Sequence, residues 1–148
     1  MTIIRGLNKS LSANLSGIYA SVAFIGKPFP WDLVTASIDF DKKARLAENL
    51  QGTYRPGDPG ADEKIDKLGK AAEKFYKARD IINQATEKYK NGKIDAVGLQ
   101  RSAEDAFDHA REAANVVDSE CPPREGRQPV WQQVEDTIRI VKQIPTVF

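Results

Sequence analysis

The chain has one cysteine, one histidine and, across its first 31 residues, no acidic side chain at all. A single cysteine, Cys121, rules out an internal disulfide, so packing alone must hold the fold, and a reducing, cytoplasm-like compartment is favoured. A single histidine, His109, leaves metal and nucleophilic chemistry short of parts. Ferritin-like bundles need Glu-x-x-His on two helices, yet residue 106 is Ala and there is no second histidine. With one Cys and one His, only carboxylates remain to complete four zinc ligands. A catalytic triad needs its histidine beside Ser or Cys with an orienting acid, whereas His109 stands between Asp105 and Glu112 in a charged stretch. It reads instead as a surface histidine paired with Asp105.

Other absences narrow the function further. No apolar run approaches the roughly 20 residues of a membrane-spanning helix. The glycines of Gly57-Asp58-Pro59-Gly60 lack the spacing and the lysine of a phosphate-binding loop, and the prolines mark a turn. The net charge is +1, too little for a polyanion binder. The expectation is therefore no enzyme, no cofactor, no metal and no nucleic-acid partner.

What is present is helical periodicity. Ile4, Leu7, Leu11, Leu15, Ile18, Val22 and Ile25 fall on one stripe of a helix over residues 4–25. Its other side is Ser, Asn, Gly and Ala, with Arg5 and Lys9, and Ala13, Gly17 and Ser21 recur every four residues, a row that admits close backbone approach. Ala20-Ser21-Val22-Ala23 loosely resembles a signal-peptide cleavage site, but Ser12, Asn14, Ser16 and Gly17 interrupt the apolar core; a Ser-rich, acid-free transit peptide fits better. The preferred reading is a structural helix, with a retained targeting origin as the minority view. Gly26-Lys27-Pro28-Phe29-Pro30-Trp31 breaks it. Phe24, Phe29 and Trp31 form an apolar knuckle there, either a plug over the bundle end, which is preferred, or an anchor for another subunit.

Four further helices follow. One starts at Asp32 as N-cap and buries Leu33, Ala36, Phe40, Ala44, Ala47 and Leu50, ending at Gly52. The next, from about Ala61 to Lys90, carries Ile65, Leu68, Ala72, Phe75, Ile82 and Tyr89 on its inner heptad positions, with Arg79 and Thr86 completing them. Asn91-Gly92 closes it. Asp95 caps the third, where Leu99, Ala103, Ala106, Ala110, Ala113 and Val117 make an alanine seam that needs bulky partners: Phe75, Tyr89, Phe40 and Trp131. The last opens at Pro129 with Trp131, Val134, Ile138 and Val141 inside.

Residues 61–92 hold eight bases and six acids, residues 93–121 three bases and seven acids, so these helices should pair as an antiparallel hairpin. Glu104, Asp105, Asp108 and Glu112 read as a solvated acidic face, less readily as a docking face for a basic partner. The fold expected is all-α: an antiparallel four-helix bundle over residues 32–148, with an additional amphipathic N-terminal helix and knuckle over 1–31. The function expected is a non-enzymatic subunit or adaptor of a larger protein assembly. Leu7, Leu11, Leu15, Ile18, Val22, Phe24, Phe29 and Trp31 would contact other protein subunits. The alternatives are a membrane-surface protein anchored by residues 4–25, and a bundle holding a small ligand.

Overall fold

The computed structural model describes residues 30–142. The expected helix over 4–25 and the contact residues Leu7, Leu11, Leu15, Ile18, Val22, Phe24 and Phe29 lie outside the described residues. Within them the protein is all-helical, with no strand: α1 Trp31–Gln51, α2 Ala61–Lys90, α3 Ala96–Glu120 and α4 Val130–Lys142.

The helix starts show how local chemistry sets the boundaries. α1 is capped two residues earlier than expected. Pro30, not Asp32, holds the cap position, and its carbonyl accepts from Leu33 N at 3.0 Å and Val34 N at 3.3 Å. Proline has no N–H to leave orphaned there, and Asp32 instead sits in the first turn, where the helix dipole favours a negative charge. Asp95 caps α3 as expected, accepting from Gly98 N at 2.8 Å. At the end of α2, Gly92 adopts φ +73°, Gly92 N donates to Tyr89 O at 3.1 Å and Lys93 N to Lys88 O at 2.8 Å. These two bonds make the left-handed Schellman stop that frees the chain to double back. Gly52 ends α1 without leaving the right-handed region, at φ −68°.

Neighbouring helices run antiparallel, as their cross-links require. Gln51 donates to Ile65 O at 2.9 Å where α1 ends and α2 begins, and Tyr76 Oη donates to Glu48 at 2.7 Å further along. Between α2 and α3, Lys64 and Lys67 each lie 3.7 Å from the Glu120 carboxylate, and Lys74 lies 2.9 Å from Glu112. The basic flank of one helix thus faces the acidic flank of the next, as the charge pattern predicted. Between α3 and α4, Arg111 grips Glu135 with two bonds, of 2.8 and 3.4 Å. Thr137 Oγ1 lies 2.9 Å from Asp39 and ties α4 to α1.

The core lies among all four helices. The whole expected alanine seam of α3 is buried, joined by Phe107 and Ala114, which periodicity alone had not singled out. Phe40 of α1 meets Phe107 edge-on at 6.4 Å between ring centroids, filling the space the alanines leave. α2 adds its own small row, Ala71, Ala78 and Ala85, at intervals of seven. Two small seams facing each other let the backbones of α2 and α3 come close, so dispersion contacts replace side-chain bulk.

Four expected core positions are corrected. Trp131 is 45% exposed, and Val130 occupies its place beside Val134, Ile138 and Val141. Arg79 does not enter the core: Ala78 does, while the guanidinium stays at the surface, bonded to Asp41 and Asp80 and 4.7 Å from the Tyr76 ring. Ile65 and Leu50 are half-buried rather than buried. For Trp131 and Arg79 the preceding residue sits nearer the centre of the helix's inward arc.

Candidate docking surface

Most of the described surface is charged, so its exposed apolar side chains stand out. Three of them belong to one region: Trp31 at 64% exposure, Ile38 at 53% and Ile140 at 58%. Trp31, Thr35, Ile38 and Lys42 recur at helical spacing along one side of α1. Ile140 lies off the inward stripe of α4, three residues after Thr137.

Between these rows α1 and α4 enclose a groove of about 220 Å³. Ala36 and Val141 lie at its base, Ile38 and Ile140 stand on its two sides, and Thr35 and Thr137 contribute hydroxyls. The Thr35 hydroxyl is spent on Trp31 O at 3.1 Å. The Thr137 hydroxyl lies between Asp39, at 2.9 Å, and Gln133 O, at 3.2 Å. Asp39 also accepts from Lys43 at 2.9 Å, so its charge is matched within the protein. Asp32 and Lys42 complete the rim. The two hydroxyls and Asp39 thus have partners, Asp32 and Lys42 bring one charge of each sign to the rim, and the sides between them are apolar. Such a surface suits a helix or a second protein better than a small polar ligand.

Of the expected contact residues, Trp31 is the one described, and it is 64% exposed. Ile38 and Ile140 were not singled out as contact residues. Their signal was present, as isoleucines off the buried stripes of their helices, but their convergence follows only from the packing of α1 against α4.

The remaining candidates resolve into surface electrostatics. His109 Nε2 lies 3.7 Å from Asp105, an ion-pair distance rather than a hydrogen bond. Asp108 lies 3.4 Å from Arg111 and Glu112 pairs with Lys74, which holds the Glu112 carboxyl below its ordinary value. Among the described residues no group of three or more His, Cys, Asp or Glu side chains is placed to hold a metal, and no helix is long and apolar enough to cross a membrane. Cys121 Sγ lies 3.4 Å from Tyr54 Oη, and this contact raises the tyrosine's pKa. No protein-family model, curated protein or solved structure matches the chain.

Proposed function

We propose that this protein is a non-enzymatic helical subunit or adaptor of a larger protein assembly: an antiparallel four-helix bundle that docks through an amphipathic helix over residues 4–25, with Trp31 beside it. One observation carries the reading. The apolar series from Ile4 to Ile25, free of acidic residues, leads into Pro30 and then directly into the exposed Trp31 and Ile38 of α1. An apolar stripe with an almost uncharged back is costly to leave in water on both sides, so protein must cover it. Trp is among the side chains that most often anchor such interfaces, and Phe is enriched in them. The bundle, locked by α2–α3 and α3–α4 ion pairs, serves as the rigid body that presents the stripe.

The test is the mass of the native particle that contains the full chain. A mass well above one chain, falling when Leu11 and Leu15 are both changed to Asp, is expected. A monodisperse monomer in the native extract overturns the reading.

A second reading draws on Arg5, Lys9 and Lys27 standing with no acid among them, a pattern suited to an anionic membrane surface. Co-sedimentation of the full chain with vesicles rich in phosphatidylserine at low salt decides it. Binding that the Leu11→Asp, Leu15→Asp pair abolishes supports membrane attachment, and absence of binding removes it.

A further inference from the structure

We propose that the α1–α4 groove is the seat of this chain's own residues 4–25, folded back as a helix antiparallel to α1. The inference rests on the reading of that segment as the docking element. It adds that the element is held on its own bundle, so that an assembly partner must displace it.

Four observations point to this occupant. The first is continuity. The segment joins the described structure at buried Pro30, immediately before the groove residues Asp32, Thr35 and Ala36. The second is the link. Residues 26–30 number five, as do residues 91–95, which turn α2 back against α3. Two of the five are prolines, which end one helix and prepare the next.

The third is length. A helix over residues 4–25 would be about 33 Å long, against about 32 Å for α1. An antiparallel return would set Ile18 level with Ile38, and Leu15 and Val22 about one turn to either side. Its stripe would then cover Ile38 and Ile140, two of the largest exposed apolar side chains described. The fourth is charge. The segment and its link carry three bases and no acid, so nothing in them repels Asp32 at the groove's mouth, and Lys27 in the link would come within reach of that carboxylate in this arrangement.

A second copy of the chain, or an unrelated helix, could fill the same groove. The tether separates these cases. A helix joined through five residues faces the groove at an effective concentration in the millimolar range, far above that of a free copy.

The experiment uses the full chain with Cys121→Ser and one cysteine pair, Ile18→Cys with Ile38→Cys, oxidised at micromolar concentration and read by non-reducing gel and mass. The pair Ile18→Cys with Ile140→Cys repeats the test on the other wall. Ile18→Cys with Glu63→Cys is the control, since Glu63 stands exposed at the start of α2, at the far end of the molecule. Both groove pairs should give a cross-linked monomer, forming at least roughly tenfold faster than in the control. A disulfide-linked dimer, or equal rates for groove and control pairs, overturns the proposal. Absence of any cross-link does the same.

The two readings fail separately. A cross-linked chain that is recovered only as a native monomer keeps the seat and sinks the assembly role. A native particle of high mass with no groove cross-link does the reverse.

Discussion

The Asp118 carboxylate lies 2.9 Å from the backbone nitrogen of Val130, twelve residues ahead in the chain. Its second oxygen takes the next N–H, that of Trp131, at 2.8 Å. A side chain near the end of α3 therefore caps the start of α4, with charge matched to the positive end of that helix. The bond also sets the position at which the returning chain meets α3, because both N–H groups must point at one carboxylate.

Asp118→Ala should therefore cost about 1–2 kcal/mol, the upper part of the range for lost N-caps, since two donors lose their acceptor at once. Asp118→Asn should recover part of this, because its single amide oxygen can still accept. Urea unfolding followed by far-ultraviolet circular dichroism measures both. Equal stability of Asp118→Ala and the unaltered chain would show the cap to be idle.

Phe107 and Trp131 offer a contrast between a buried and an exposed aromatic side chain. Phe107 is 1% exposed against Phe40, whereas Trp131 is 45% exposed. Truncating Phe107 to Ala should cost about 3–5 kcal/mol and Trp131 to Ala about 1 kcal/mol or less. Paired thermal melts would show the inverse order if Trp131, rather than Val130, lay inside.

Gly92 provides a backbone test. Its φ of +73° is left-handed, and a Cβ there would meet open space, so the penalty of substitution is purely conformational. Gly92→Ala should destabilise by about 1 kcal/mol. Asn at the same position should cost less, because Asn tolerates that region. Denaturant midpoints for the two variants check the order.

The acid side of the stability curve follows from four carboxylates. Asp41 is held below its ordinary value of 3.8 by hydrogen bonds from Arg45 and Arg79, and Asp136 by Gln128 and Gln132. Glu63 and Glu112 are held below 4.5 by Lys67 and Lys74. A carboxylate whose folded pKa is depressed contributes stability above its unfolded value, and loses it as pH falls through the folded one. The urea midpoint should thus be flat from about pH 7 to about pH 5 and decline below about pH 4. Glu63 and Glu112 are exposed and Asp41 and Asp136 half-exposed, so ~1 M salt should shrink the decline. A midpoint that rises on acidification would contradict the assigned pairs.

The sequence was most legible where periodicity and composition agree. The alanine seam of α3 could be read at every position, because a four–three repeat of small residues has one physical use, close packing. The α2–α3 charge pairing was legible for a similar reason, since opposite flanks on consecutive helices must meet if the turn between them is short. Phe107 and Ala114 were missed because α3 touches three neighbours. Its buried arc is wider than the stripe a single partner would require. Trp131 was misplaced because period alone does not say which of two adjacent apolar residues faces inward; here the Asp118 cap sets where α4 begins. The groove was beyond reach, since Ile38 and Ile140 become neighbours only once α1 and α4 pack.

The abrupt turn at Asn91–Asp95 has a kinetic consequence. It joins the two longest described helices through so few residues that closing them costs little chain entropy, and their contacts can form outward from the turn, each pair shortening the loop left for the next. That pair should assemble early in refolding, leaving α4, shorter and joined through a longer connection, to add afterwards. Destabilising changes in α4 would then speed unfolding while leaving the refolding rate almost untouched.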